Sequence, residues 1–324
     1  MPPQPKQRPV ADPNQHAALT RELARLTGGD PAALCFGVAV SGGPDSVALL
    51  LLMRDLTLGG LEAATVDHGL RPEAAAEADG VARLCSSLDI RHATLRSATG
   101  VQGSVQAGAR MMRYALLEMW REQRGLDFIL TAHHADDQAE TLLMRLNRAS
   151  GMAGLAGIRA RNGAVLRPLL AWRHADLMAI CDAAGVKAAD DPSNRDMRFD
   201  RVRMREQISA VPWLDTPALA RSATLMGEAD AALDWAVAHV ISGWPDCGDP
   251  AVIRGGQWPD EIGWRILRVR LRAFCGDQNA DQSQLLNAIA ALRAGRKVSL
   301  GSVTITPDRK EPTLWRIAAA PPRR

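Results

Sequence analysis

A chain of 324 residues with 47% hydrophobic and 23% charged residues has an ordinary globular composition, which excludes a disordered or fibrous protein. It is long for one core and suits two domains of unequal size. The net charge of +3 identifies no partner, and the 5 cysteines (Cys35, Cys85, Cys181, Cys247, Cys275) include no Cys-x-x-Cys pair, which argues for reduced thiols and against a disulfide framework or an iron–sulfur site.

Met1 to Asn14 is rich in Pro and Gln and lacks the apolar core of a signal peptide, so residues 1–15 are expected to form a loose tail. His16 to Leu26 has helical periodicity and stops at Gly28-Gly29, and Phe36 to Val40 reads as a strand. Ser41-Gly42-Gly43-Pro44-Asp45-Ser46 follows, and Val47 to Leu56 reads as a helix. A Gly-rich loop between strand and helix points to pyrophosphate binding. Small residues let the backbone approach phosphate oxygens, and the free N–H groups and dipole of the helix start favour an anion. No Lys follows the second Gly, which excludes a Walker A loop. Asp45 stands at the helix start instead; a carboxylate beside triphosphate calls for a divalent cation between them, so Asp45 is a candidate Mg²⁺ ligand. The competing reading is a Gly-rich turn capped by Ser46. The apolar stretch after the loop falls far short of the ~20 residues that cross a bilayer, so no membrane partner is expected.

Leu61 to Val66 is the next strand and ends in Asp67-His68-Gly69-Leu70-Arg71-Pro72. His68 and Arg71 there can reach a cofactor edge or phosphate, although Asp-His-Gly is also an ordinary turn. Ala74 to Leu88 is helical, Arg91 to Leu95 reads as a strand, and Gln102 to Arg124 as a long helix. Phe128 to Thr131 then runs into His133-His134-Ala135-Asp136-Asp137-Gln138-Ala139-Glu140-Thr141, where a helix starts near Ala135 and continues to Leu146. Strands alternating with helices predict an α/β fold with a doubly wound, mostly parallel sheet and ligand at the carboxyl ends of the strands. The polar motifs all fall at such ends.

Asp137 and Glu140 are one helical turn apart on a shared face. Acidic residues there can simply complement the helix dipole. With two adjacent His they can also form a reactive site: His133 or His134 to stabilise charge at a phosphate or move a proton, and the carboxylates to hold Mg²⁺ or an ammonium. Zinc is disfavoured because no Cys or third His stands nearby in sequence.

From about Pro217 the pattern changes to long helices (Ala218 to Ile241, Glu261 to Phe274, Gln282 to Leu292) followed by short strands at Lys297 to Thr306 and Thr313 to Ala318. The predicted division is a catalytic domain at 16–212 and a smaller, mainly helical domain at 213–324. Arg195, Arg198, Arg201, Arg203 and Arg205 form one basic cluster, and Arg265, Arg268, Arg270 and Arg272 another. Such clusters suit a polyanion; the second can equally be a solvated helix face with Ile266, Leu267, Val269 and Leu271 as its apolar side.

The loop, Asp67 to Pro72, Arg110-Met111-Met112-Arg113-Tyr114, His133 to Thr141, Gly151 to Leu155, Arg167-Pro168-Leu169-Leu170, and Asp191-Pro192-Ser193-Asn194 with Arg198 to Arg205 occur in that order. Over about Gly37 to Arg205 the chain thereby resembles the isoleucine tRNA lysidine synthetase family of PP-loop ATP pyrophosphatases. The resemblance implies a cytoplasmic ATP-dependent ligase acting on the first anticodon cytidine of isoleucine tRNA with a CAU anticodon. ATP would adenylate the oxygen at carbon 2 of the base, releasing pyrophosphate, and the ε-amine of free L-lysine would displace AMP. It implies that Asp45, His133 and Asp137 are catalytic, and that Ser41, Gly42, Gly43, Pro44, Asp45, Ser46, His68 and Arg71 bind ATP. Asp137, Glu140 and Arg205 would bind lysine. Arg110, Arg113, Arg201 and Arg203 would contact tRNA or phosphate, and Asp45 with Asp136 would hold Mg²⁺. The C-terminal domain would grip tRNA, and a homodimer is compatible. Gly108 departs mildly from the family pattern and weakens its helix by ~1 kcal/mol relative to Ala.

Three other readings are open. A thiolating tRNA enzyme needs persulfide or cluster cysteines near the motifs, and an amidotransferase-type synthetase needs a glutaminase half or an ammonia-supplying partner. A non-catalytic RNA-binding protein would not require the Gly loop and His-Asp-Asp motif together.

Overall fold

The computed structural model describes residues 12–56, 58–67, 73–97, 105–187, 189, 197–198, 200–276 and 280–320. They form two compact units, one ending at Gly227 and the other beginning at Glu228.

The first unit is built on a sheet of β1 (Cys35–Ala39), β2 (Gly60–Asp67), β3 (Arg91–Arg96), β4 (Phe128–Leu130), β5 (Arg161–Asn162) and β6 (Val165–Leu166), in the order β3-β2-β1-β4-β6-β5. Every neighbouring pair is parallel except β5–β6. The doubly wound, mostly parallel sheet expected from the alternation is therefore what the chain forms. The two-residue strands β5 and β6 are too short to leave a periodic signal. Because the chain winds outward from β1 in both directions, the switch point lies between β1 and β4.

Helix α1 (Pro13–Thr27) begins earlier than its periodicity suggests, because Asp12 and Gln15 form a capping box and Pro13 takes the first helical position. Helix α2 (Pro44–Arg54) likewise begins at Pro44, inside the Gly-rich loop, with Gly43 as its N-cap. Its run from Val47 to Met53 is buried all round, as expected of a helix without a polar face. It shares a core with Val81 and Cys85 of α3 (Glu73–Ser87) and with Leu177, Ile180 and Cys181 of a helix at His174–Ala183.

On the other side, α4 (Val105–Arg124) runs unbroken through Gly108 and packs Leu117 and Trp120 against Ala64 and Ile129. Gly37 makes room for that packing: a Cβ there would lie 2.5 Å from the Trp120 ring. Then come α5 (Ala135–Leu146), α6 (Met152–Leu155), α7 (His174–Ala183) and α8 (Asp200–Ser209), followed by the long α9 (Thr216–Ser242). The first turns of α9 belong to the first unit, with Ala220 and Ala223 buried and the Gly227 carbonyl accepting from Arg159 at 3.4 Å. That is why the compact units divide later than 212/213.

The second unit combines the end of α9 with β7 (Val252–Arg254), α10 (Asp260–Cys275), α11 (Gln282–Arg293), β8 (Val298–Leu300), β9 (Val303–Pro307) and β10 (Leu314–Ala319). The strands form an antiparallel sheet, β7-β10-β9-β8, beside helices that hold more of the unit's residues than the strands do. Its own core includes Trp264, Leu267, Ile289, Ile305 and Trp315. The expected strand at Lys297 to Thr306 is a hairpin instead, because the chain turns at Gly301 with φ 54°.

The second arginine cluster is divided: Arg268 and Arg272 are exposed, but Arg265 and Arg270 are buried and spent on internal partners. Arg265 is fully buried and donates to Asp230 (2.5 Å), Asp234 (2.6 Å) and Glu261 (2.7 Å). Arg270 donates to the carbonyls of Val252 and Cys247, each at 2.8 Å.

Candidate active site

The Gly-rich loop leaves the carboxyl end of β1, and α5 starts just past the carboxyl end of β4. The two motifs thus flank the switch point. Gly42 has φ +89°, a conformation that disfavours any side chain, and its carbonyl accepts from the Ala189 N–H at 2.9 Å. Ser46 does not cap the helix. Its hydroxyl accepts from the Ser41 N–H at 3.1 Å and donates to the Gly43 carbonyl at 2.9 Å, folding the loop on itself. Gly43 supplies no side-chain acceptor, so the first-turn N–H groups of α2 stay available to an anion.

Asp45 faces two histidines. Its Oδ1 is 2.7 Å from His174 Nδ1, and its Oδ2 is 3.5 Å from His134 Nε2. His134 is buried among carboxylates, with Asp136 Oδ2 3.4 Å from Nδ1 and Asp137 Oδ2 3.6 Å from Nε2. Burial disfavours its imidazolium, but Asp136, Asp45 and Asp137 outweigh burial and push its pKa up to about 10. Burial alone would raise the Asp45 pKa; the two histidines reverse this and hold the carboxyl well below its ordinary range.

His133 has the opposite environment. Its Nδ1 is 3.0 Å from Thr131 Oγ1, and burial pushes its pKa down to about 4 against the pull of Asp137, with Arg167, Arg110 and Arg201 adding to the depression. The two neighbouring imidazoles are thus charged differently at neutral pH. Opposite surroundings, arginines around His133 and carboxylates around His134, separate their charge states.

A cavity of about 240 Å³ opens beside this cluster, lined by Asp136, Glu140, Arg173 and Arg205 at its polar end and by Ile208, Val211, Pro212 and Leu214 elsewhere. Glu140 is 1% exposed; Oε1 accepts from Arg205 Nε at 2.7 Å, and Oε2 has no hydrogen-bond partner. Burial raises the Glu140 pKa and Arg205 only partly offsets it.

A strand-end anion loop beside a cavity with two carboxylates and two guanidiniums suits nucleotide activation, and comparison with known proteins identifies the family. The profile of the PP-loop domain matches residues 15–211. The tRNA(Ile)-lysidine synthase of Novosphingobium aromaticivorans is 44% identical over 299 residues, covering 89% of each chain. This chain belongs to the tRNA(Ile)-lysidine synthase family. The synthase of Zymomonas mobilis is 37% identical over 300 residues, again covering 89% of each chain. The U34-tRNA thiolase NcsA from Methanococcus maripaludis shares the fold, with a TM-score of 0.53 and 16% identity over 64% of this chain and 76% of its own. Membership in the lysidine synthase family makes the chain an ATP-using, carbon–nitrogen-bond-forming ligase. Among the described residues, no helix is long and apolar enough to cross a membrane.

Within this lysidine synthase fold, Asp45, Asp136 and Asp137 come together around His134, and Glu140 meets Arg205. Asp45 and Asp136 contact opposite nitrogens of the His134 ring, so the imidazole stands between the two carboxylates expected to share Mg²⁺. Asp136, one turn before Glu140, lines the cavity; Asp137 instead accepts from the His134 N–H at 3.2 Å. Arg203 braces the start of α8 through the carbonyls of Met197 and Arg198 and through Asp200. Arg201 and Arg113 are exposed, and Arg110 lies over the Tyr114 ring at 5.2 Å. His68, Arg71 and the Asp191 to Asn194 motif lie outside the described residues. His174 and Arg173 belong to no motif that the sequence displays. They start α7, a helix with weak amphipathic patterning, and only the fold brings them to Asp45 and Asp136.

Proposed function

We propose that this protein converts the first anticodon cytidine of isoleucine tRNA with a CAU anticodon to lysidine in the cytoplasm. The observation that carries the reading is the cavity of paired carboxylates and guanidiniums, whose wall residue Asp136 holds the same histidine that faces Asp45 of the phosphate loop. Nucleotide activation and amine delivery then occur at one sheet edge.

ATP would lie with its phosphates on the loop from Ser41 to Ser46, where the first-turn N–H groups of α2 stabilise the pyrophosphate leaving group. Attack by the oxygen at carbon 2 of cytidine on the α-phosphate gives the adenylated base. Mg²⁺ suits a site of one carboxylate plus substrate phosphates, so Asp45 fits as its protein ligand and the ion would offset phosphate charge. Asp136 is engaged by His134 and His174 and fits less well.

His133, neutral at pH 7, is suited to donate a hydrogen bond to the α-phosphate and poorly suited to accept a proton. Free lysine arrives as an ammonium, with an amine pKa of about 10.4, and must lose a proton before its ε-amine displaces AMP. Glu140 and Asp136, which line the cavity, attract the cation, and Asp137 is the candidate to take its proton. Arg205 orients Glu140 and, with Arg173, offers a cation to the lysine carboxylate. Arg110, Arg113 and Arg201 are candidates for tRNA phosphates.

The test is an in vitro reaction with transcript isoleucine tRNA, ATP and labelled lysine, followed by nuclease digestion and identification of the labelled nucleoside. Label at the first anticodon nucleotide, dependent on ATP and absent with methionine tRNA, is the expected result. No transfer, or tRNA-independent ATP–pyrophosphate exchange alone, would sink the reading.

A further inference from the structure

In sequence no third ligand stands near His133 and His134, and the fold supplies one. The geometry points to a divalent transition-metal site of the zinc class formed by Asp45, His134 and His174, with one donor each from the start of α2, the N-cap of α5 and the first residue of α7. The donor atoms all lie within 4.8 Å of one another.

His134 Nε2 stands 3.5 Å from Asp45 Oδ2 and 3.6 Å from Asp137 Oδ2, longer than good hydrogen bonds. The Asp45–His134 separation is close to the edge, about 3.3–3.5 Å, of a tetrahedron whose ligands lie ~2.0–2.1 Å from a central ion, whereas Asp45 Oδ1 and His174 Nδ1, hydrogen-bonded at 2.7 Å, must part slightly to admit one. Two imidazole nitrogens with a carboxylate oxygen suit Zn²⁺ and its borderline neighbours, whereas Mg²⁺ prefers an all-oxygen shell.

An independent observation lies behind the ligands. Asp136 Oδ2 accepts the His174 backbone N–H at 2.8 Å and stands 3.4 Å from His134 Nδ1, a buried nitrogen without a hydrogen-bond partner. A carboxylate behind a ligating imidazole fixes the ring and directs the opposite nitrogen to the metal. Here Asp136 stands behind the His134 ring and holds the His174 backbone at the start of α7, while the His174 ring itself faces Asp45. The side chains of His174 and Asp45 are 46% and 30% exposed, so an ion can enter from solvent. Asp137 or water completes the shell.

Because Asp45 is also the residue proposed for Mg²⁺, a zinc-class ion and Mg·ATP exclude each other at this carboxylate. Zinc binding therefore inhibits adenylation. The binding itself stands on geometry alone and is measured without substrate.

The full-length protein, stripped by chelation, is dialysed against Zn²⁺ alone, and bound zinc is quantified. Co²⁺ serves as a spectroscopic probe in a parallel titration. The expected result is one equivalent in the wild type and Co²⁺ d–d bands without thiolate charge transfer. His174→Ala and His174→Phe should weaken zinc binding by more than the roughly 10–100-fold that loss of an outer-shell partner costs. Both variants should melt as the wild type does, since His174 is half exposed. No zinc in the wild type, equal affinity in the variants, or thiolate bands assigning the ion to a cysteine each overturns the site. A second arm titrates Zn²⁺ into the tRNA-dependent adenylation reaction: inhibition relieved by His174→Ala supports the site, and unchanged inhibition overturns the stated competition.

Discussion

Arg205 Nε donates to Glu140 Oε1 at 2.7 Å, while the second Glu140 oxygen is buried without a hydrogen-bond partner. A carboxylate so placed has given up its water and regains a full set of partners only when a cation arrives. Glu140→Gln should therefore raise the lysine KM about 10- to 150-fold with little change for ATP, the loss of a charged hydrogen bond worth roughly 1.5–3 kcal/mol. Stability should move the other way. Glu140 has a folded pKa raised above 4.5, so its contribution is present below that value and is lost as pH rises through the folded pKa. The Gln variant should gain stability relative to the wild type on going from acid to neutral pH. Lysine and ATP kinetics with thermal melts across pH decide it; an equal rise in both KM values removes the lysine pocket.

Asp45→Asn should nearly abolish adenylation and leave tRNA affinity intact, because the carboxylate faces the phosphate loop and the two histidines. The same change removes one of the charges that hold the His134 proton, so His134 should titrate at lower pH. Single-turnover adenylation and histidine NMR give the two readouts. Wild-type adenylation in the variant would leave Asp45 without its metal role.

How much of the fold and site is legible in the sequence follows from the range of the interactions. The Gly loop, β1 and α5 are local: a strand, a turn of small residues and a helix start are each written within about ten residues, and α5 begins at Ala135 as its pattern indicates. The doubly wound class follows from the alternation of strands and helices. What the sequence hides is long-range. His174 reaches Asp45 from 129 positions away, and nothing local marks it. The unlike environments of His133 and His134 arise from side chains on α2, α4, α5 and α8 and beside β6 that converge only in the fold. Arg265 and Arg270 look in sequence like a basic surface, since periodicity records spacing and says nothing of which charged face finds buried partners.

His134 sets a pH window. Its pKa rises from 6.5 to about 10 on folding, so its stabilisation is complete below 6.5 and is lost as pH climbs toward about 10. Metal-free, nucleotide-free protein should lose stability across that interval, and His134→Asn, whatever its own cost, should flatten the slope. Chemical denaturation of both proteins through the window is the check. Parallel slopes would mean that the carboxylates do not hold this proton.

Arg265→Leu tests the buried charge cluster of the second unit. The guanidinium is fully buried, and its removal takes a charged partner from Asp230, only 4% exposed. The cost should be on the order of 3–5 kcal/mol, as for breaking a buried pair from one side. Asp234 and Glu261 contribute less because they reach solvent. Hydrogen exchange should show reduced protection in α10 and the antiparallel sheet, with the α2 core unchanged. A uniform reduction across both units would contradict separate cores.

The final expectation concerns tRNA. With Arg265 and Arg270 spent internally, the exposed cations of the second unit must supply any phosphate contacts there. The register Val298↔Ile305 puts the start of β8 beside the end of β9, so Arg296 and Lys297 share one sheet end with Arg309 and Lys310 in the following turn. All four are exposed. Replacing them together with Gln in the full chain should weaken tRNA binding and flatten its salt dependence by about 0.7–0.9 of log–log slope for each tRNA phosphate that the protein no longer neutralises. ATP affinity should persist, since the phosphate loop belongs to the other unit. Binding measured across a salt series decides between the two units: an unchanged slope would assign phosphate neutralisation to Arg110, Arg113 and Arg201 and leave the basic sheet end without a role in tRNA binding.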